Sequence, residues 1–445
     1  MSSTDAGMGY YAPKISDRES TGFDYFDKEV VENNFQRSEY VAIKPLNAIN
    51  TGPTIFEIGH ELSKFLVPLN SIEGRLKLKI TKADGSALVA GDDDGASLIN
   101  FFATSLFENV NCTLQGVKIS DHSRRHQFKA AMLNLFSYGT NAKKYNLAVE
   151  RFKTDTNVTS TDVNPACENW VAKKTLVNRS GVFYANFLPL IDLASGNNFL
   201  CIGHKLVVEF ERGKSGFVIL KKNTGTIDYN VEILDFELLI KKLYPNTTFL
   251  SNLEKKLEKN PAHYNFTRNI IRTYQTHSGV MRVDWHNIFL GQMPTALYFI
   301  FLDNEQVANS DKKNPHVWLP YGCKKAHLVV NGYNHPANSI EFDTDTGHIY
   351  DGFRWFLNNM GLRMSNEDIE IDPEKLYSDK FCIPFDLSHR SDNGFSPQAK
   401  ETGSISFHCE FKEALASAIT VMVMASFDSH VWVDQNNDVH TDYST

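Results

Sequence analysis

The sequence predicts an all-β protein in which one β-domain occurs in tandem, and three observations carry that expectation. The first lies in 403–434. There Ile405, Phe407, Cys409 and Phe411 alternate with Ser404, Ser406, His408 and Glu410, the period of a strand with one buried and one wet face. After a short connector at 413–418, Ile419, Val421, Val423, Ala425 and Phe427 share one face while Met422 and Met424 make the other apolar too. That second strand should therefore lie at the centre of a sheet, covered on both sides.

The second observation is a repeated order of features. An alternating strand running into a polar-Gly turn occurs at 110–116 (VNCTLQG) and again at 326–332 (AHLVVNG). Each is followed by an aromatic-rich helical stretch, 128–139 (FKAAMLNLFSYG) and 353–361 (FRWFLNNMG), then by a Pro-Asp-Leu segment, NFLPLIDLA at 186–194 and FCIPFDLS at 381–388. A short strand and a very long one close each half, KLVVEF at 205–210 with 229–244 in the first. The third observation is length: 445 residues exceed what one core usually serves, and two domains of about 200 residues fit the repeat.

Taken in order, the chain opens with residues 1–42, an arm of turn formers and charges with isolated aromatics such as Tyr10, Tyr11, Phe23, Tyr25, Phe26 and Phe35. It is read as either mobile or docking on a neighbouring subunit. The first β-domain spans 43–246. Within it 56–58, 66–69 and 75–81 read as strands, with Leu76, Leu78 and Ile80 facing in and Arg75, Lys77 and Lys79 facing out. The polar excursion at 140–179 reads as a surface loop that makes contacts. At 247–261, Phe249, Leu250, Leu253 and Leu257 share one face of a linker helix that stops at Asn260-Pro261. The second β-domain spans 262–434, with strands at 269–274, 285–290 and 296–302 and polar loops at 336–350 and 362–376. The tail, 435–445, is expected to be loose.

Composition removes several function classes. No apolar run approaches 18 residues, so no transmembrane helix is expected, and the first residues lack the basic and apolar regions of a signal peptide. The net charge is −8 with no strongly basic tract, and the leading arm is acidic, so direct packaging of nucleic acid is not expected. Six scattered cysteines form no CxxC, which argues against a zinc site and a dense disulfide framework. Asn157 and Asn246 match the glycosylation pattern by chance in a chain rich in Asn, Ser and Thr.

Candidate chemistry fails on its own terms. His122 and His126 have the spacing of a zinc-binding pair, but Ser123 stands where a catalytic Glu is needed and Arg124 and Arg125 would repel a metal. Asp92, Asp93 and Asp94 lack the ligand spacing of a calcium loop. In the Asp343, Asp345, Gly347 run, Gly347 fills a ligand slot and Arg354 the place of the bidentate Glu. Nucleophile-elbow and phosphate-loop motifs do not occur, and 15 histidines include no His-x-His of the kind that tandem-barrel metalloenzymes carry on one strand. No catalytic, cofactor-binding or metal-binding residue is therefore expected.

The two halves and their wording resemble the double jelly-roll major capsid proteins of Polintons (Mavericks) and adintoviruses. The likeness runs over about 55–440. It is best in KEALASAITVMVMASFDSHVWVDQNNDV at 412–439, and includes Gly291-Gln292-Met293-Pro294, Asn314-Pro315, Leu328 to Gly332 with Pro336, and NFFATSLFENVNCTLQG at 100–116. The resemblance implies two tandem eight-stranded antiparallel jelly-roll sandwiches, with short helices in the loops. It also implies a homotrimeric, pseudo-hexagonal capsomer that tiles an icosahedral shell of a double-stranded DNA virus or virus-like transposon. The protein would then sit in the virion capsid, with a separate penton or minor capsid protein as partner and no cofactor. The alternative is a two-cupin-like metal-dependent enzyme. A monomeric carbohydrate-binding sandwich is a third reading.

Overall fold

The structure, a computed structural model, describes residues 34–49, 52–89, 91, 95–119, 124–156, 158–343, 348–388 and 401–443. The first lobe is built from β1 (Phe35–Ile43), β2 (Thr54–Ile58), β3 (Glu73–Lys82), β4 (Phe107–Leu114), β5 (Val117–Lys118), β6 (Phe183–Phe187), β7 (Leu206–Arg212) and β8 (Tyr229–Pro245). The second contains β9 (Ala262–Gln275), β10 (Arg282–Gln292), β11 (Ala296–Asp303), β12 (Cys323–Val330), β13 (Tyr333–Glu341), β14 (Ile383–Asp386), β15 (Thr402–Phe411) and β16 (Ile419–Val433).

Pairing follows one plan twice. The first lobe has sheets ordered β1-β8-β3-β6 and β2-β7-β4-β5, and the second has β9-β16-β11-β14 and β10-β15-β12-β13. Adding eight to each strand number of the first lobe reproduces the second. All these pairs are antiparallel. Each lobe is thus an eight-stranded jelly roll, and the chain is a double jelly roll.

The local sequence explains the strands. In β2 and β3 the burial alternates with the residue, placing Leu76, Leu78 and Ile80 inside and Arg75, Lys77 and Lys79 outside. The hairpin between β4 and β5 turns at Gln115-Gly116, both with positive φ, which is why a polar residue and a glycine stand there. The β12–β13 hairpin turns at Asn331-Gly332 in the same way.

Each sandwich closes on aromatic rings. In the first lobe Phe56, Phe107, Phe187, Phe210 and Phe236 come from five different strands and are all buried. Their centroids lie 4.7 Å apart for Phe56 and Phe236, 4.9 Å for Phe107 and Phe210, and 5.3 Å for Phe107 and Phe236. Gly74 on β3 leaves room for this nexus, because a Cβ there would collide with the Phe187 ring. In the second lobe Phe299 of β11 stacks on Phe407 of the facing sheet at 4.0 Å.

Four longer helices fill the connections: α1 (His126–Ser137), α2 (Glu168–Val177), α3 (Thr247–Leu257) and α4 (Ile349–Asn359). The linker helix, α3, is capped by the Asn246 side chain, which accepts from Phe249 N at 2.7 Å. Strand β16 has the double burial that its sequence requires. Val421, Val423, Ala425 and Phe427 enter the core of the second lobe, and Met422 and Met424 pack with Ile271, Ile300 and Leu302 into the cluster shared with the first lobe.

Four expectations are corrected. Residues 35–42 are not part of a free arm, because β1 pairs with β8 along Phe35–Ile43. Residues 1–33 lie outside the described residues. The tail is tied down by β17 (Val439–Thr441), which pairs with the end of β16, and the Tyr443 hydroxyl donates to Ile119 O of the first lobe. The excursion at 140–179 makes contacts as expected, but it is a surface loop only in part. It folds into short helices that bury Lys143, Cys167, Trp170 and Lys173, and the loop expected at 336–350 is strand β13 as far as Glu341.

Two substitutions test this packing by urea unfolding. Met424→Ala, which empties the face between the lobes, should cost about 2–5 kcal/mol. Gly74→Ala should cost about 1–3 kcal/mol by overpacking against Phe187.

Candidate assembly surfaces

Buried polar groups of the two lobes meet along the seam between them. Its apolar part is Phe136 of α1, whose ring lies 5.9 Å from Tyr298, 5.8 Å from Trp318 and 6.3 Å from Phe356. Around it runs a network in which each lobe satisfies groups of the other. Thr154 donates to Glu370 at 2.7 Å, Thr140 N donates to the Asp368 carboxylate at 3.0 Å, and Asn314 N donates to Thr161 O at 2.8 Å. Further along the seam His204 Nδ1 and the Tyr264 hydroxyl are 2.7 Å apart, and Thr267 N donates to Ser195 at 2.8 Å.

Buried charge is concentrated here. Lys380 is fully enclosed, donates to His316 O at 2.8 Å, and lies 3.0 Å from Asp379 and 3.6 Å from Asp155 across the seam. Burial alone would depress its ammonium, but the two carboxylates hold it above the ordinary lysine value. Lys143 donates to Ile369 O of the other lobe, and burial pushes it down to about 7. Lys173, bonded to Asn100 and Asn169, is likewise lowered to about 7 by burial. His316 is buried with neither ring nitrogen bonded, and burial lowers it to about 3. The pocket lined by Phe101, Lys143, Thr154, Asp155, His316 and Lys380 measures about 10 Å³, room for roughly one water rather than a substrate.

The outer faces are of a different kind. On the first lobe Glu232, Asp235 and Glu237 of β8 stand opposite Lys79, Lys77 and Arg75 of β3. Lys44 bridges Asp235 and Glu237 at 2.7 Å each, and Arg75 pairs with Glu237. On the second lobe a row crosses the sheet from Asp284 through His408 and His327 to Ser339, with His408 Nδ1 at 2.5 Å from Asp284 and His327 Nδ1 at 3.1 Å from Ser339. His286 sits 5.3 Å from the His408 ring. Burial, then the neighbouring His408, keeps the His327 imidazolium disfavoured.

Few of the residues weighed for chemistry fall among the described residues. His126 is buried at the start of α1 and lowered to about 3 by burial, while His122, Asp92 to Asp94, Asn157, Asp345 and Gly347 lie outside the described residues. Asn246 serves as a helix cap. None of the six cysteines is in a disulfide, and the Cys323 and Cys409 sulfurs are in contact at 3.4 Å inside the second lobe. Among the described residues no three His, Cys, Asp or Glu side chains are placed to hold a metal, and no helix is long and apolar enough to cross a membrane. The His286, His327 and His408 cluster escapes a search for His-x-His because its members sit on three strands. Cross-strand register, not local spacing, unites them.

No family model matches the chain, and no curated protein matches its sequence. Solved structures do match its fold. A chain of the Sputnik virophage is 12% identical, with a TM-score of 0.61 over 94% of this chain and 90% of that one. The major capsid protein of mavirus is 10% identical, with a TM-score of 0.54 over 97% and 95%. The Faustovirus major capsid protein is 8% identical, with a TM-score of 0.52 over 92% and 93%. At such identities the likeness is one of fold, and it spans both lobes and the seam.

Two outcomes follow for the seam. Lys380→Met should cost about 3–5 kcal/mol in urea unfolding, because Asp155 and Asp379 would remain buried without their cation. For His316 the unfolded chain takes up a proton near pH 6.5 and the folded chain only near 3, so its contribution to stability is present above pH 6.5 and is lost as the pH falls toward 3. Unfolding across that range should show a flatter acid slope in His316→Leu than in the parent.

Proposed function

We propose that this chain is a structural major capsid protein, and that three copies form a pseudo-hexagonal capsomer that tiles an icosahedral shell. The observation that carries the reading is the strand-for-strand identity of the two lobes, fixed to each other by a buried seam. A unit with two like lobes gives a ring of three copies six like positions, so threefold symmetry approximates a six-sided tile. The named fold neighbours from mavirus and Faustovirus are themselves major capsid proteins, which supports the same reading.

In this reading 43–246, with the strand at 35–43 paired onto it, and 262–434, with the strand at 439–441 paired onto it, are the two wall-building lobes, 247–261 joins them, and the residues before 35 are a terminal extension. The Polinton or adintovirus type is the branch that the sequence wording favours. The protein works in the virion capsid of a double-stranded DNA virus or virus-like transposon, with copies of itself as its main partner and a penton or minor capsid protein at the vertices. Its function needs neither catalysis nor cofactor, and other proteins neutralise the genome.

Light scattering and negative-stain imaging of the purified protein test this directly. The expected result is a particle of about three times the 50.4 kDa chain mass with a hexagonal outline, joining into plates or shells as concentration rises. A protein that stays monomeric at every concentration, or that carries stoichiometric iron, copper or manganese as a two-cupin-like enzyme would, overturns it.

A further inference from the structure

The linker helix has an apolar stripe that the described chain buries only in part. Phe249, Leu250, Leu253 and Leu257 fall on one arc of about 100° of α3. None of the four is fully buried, and none belongs to the core of either lobe. An isolated helix of this length is marginal in water, so its stability must come from whatever covers that stripe. One flank is basic, with Lys255, Lys256 and Lys259 together, while Glu254 and Glu258 occupy the other.

The described chain starts at this helix. Asn246 N, at the cap, donates to Asn34 O at 2.9 Å, and the Phe35 ring lies 5.9 Å from Phe249. The residues before Asn34 are therefore delivered to the N-terminus of α3. Their sequence complements it: Phe23, Tyr25, Phe26, Val30 and Val31 supply apolar groups, and Asp17, Glu19, Asp24, Asp27, Glu29 and Glu32 supply negative charge against Arg18 and Lys28. Phe26 lies eight positions before Asn34, a span that reaches about 26 Å when extended, more than the roughly 16 Å length of an 11-residue helix.

We propose that residues 17–33 of the same chain dock on the apolar stripe of α3, their aromatic side chains against Leu250, Leu253 and Leu257 and their carboxylates along the lysine flank. The arm thereby completes a small third core beneath the joint of the two lobes. This holds for a single chain and does not depend on the assembly reading.

Hydrogen exchange of the dilute full-length protein is the test. Peptides within 17–33 should exchange at least about tenfold faster in Leu253→Ser/Leu257→Ser and in Lys255→Glu/Lys256→Glu than in the parent, with exchange in the two lobes unchanged. Asp24→Lys/Asp27→Lys should lose the same protection, and combining it with Lys255→Glu/Lys256→Glu should restore it. Equal exchange of the arm in parent and variants overturns the proposal. So does protection that vanishes on dilution, which would assign the stripe to the arm of a neighbouring copy.

Discussion

The architecture depends on one strand being buried on both faces. A jelly-roll sheet normally hides one face in its own sandwich and wets the other. In β16 the residues alternate between two hidden environments, Val421, Val423 and Ala425 in the second lobe and Met422 and Met424 against the first. Neither face can be exposed without losing a core. The two lobes are therefore coupled through the middle of a sheet rather than through loop contacts, and separating them would strand the Met422, Met424 and Ile300 surface in water.

Polar groups then fix how the lobes are aligned. An apolar face alone tolerates sliding, whereas Lys380 must meet both Asp155 and Asp379, and Lys143 must meet Ile369 O. Buried charges that lose their partner are far more costly than a shifted methionine, so these pairs select one registration among the many that hydrophobic contact would allow. Lys380 and Asp155, like Lys143 and Ile369, come from segments more than two hundred residues apart, which makes the alignment a property of the whole chain.

That separation explains what could be read from the sequence. Period-2 runs such as 75–81 and 405–411 record burial by near neighbours, so the strands, the repeated order and the double burial of β16 were legible. The stretch 140–179 reads as polar because its lysines and asparagines are conspicuous in composition, yet Lys143 and Lys173 are buried against partners that no local pattern reveals. The tail misleads for a similar reason: Val439–Thr441 is short and polar, and only the exposed edge of β16 turns it into a strand. The histidine row on the second lobe is invisible until β10, β15 and β12 are placed side by side.

The two lobes share a topology but not a surface, and the difference has a consequence for assembly. On β16 the outward residues are methionines; at the matching place on β8 they are Glu232, Asp235 and Glu237, set opposite lysine and arginine on β3. Had both faces been apolar, a chain could use its second face on its own first lobe and its spare face on another chain's, adding copies head to tail without limit. Placing a charge ladder on the free face prevents that, since exposed ion pairs contribute only about 0–1 kcal/mol each and are screened by salt. The apolar contact is spent within the chain, and any contact between copies through the charged face must be polar, adjustable and salt-sensitive.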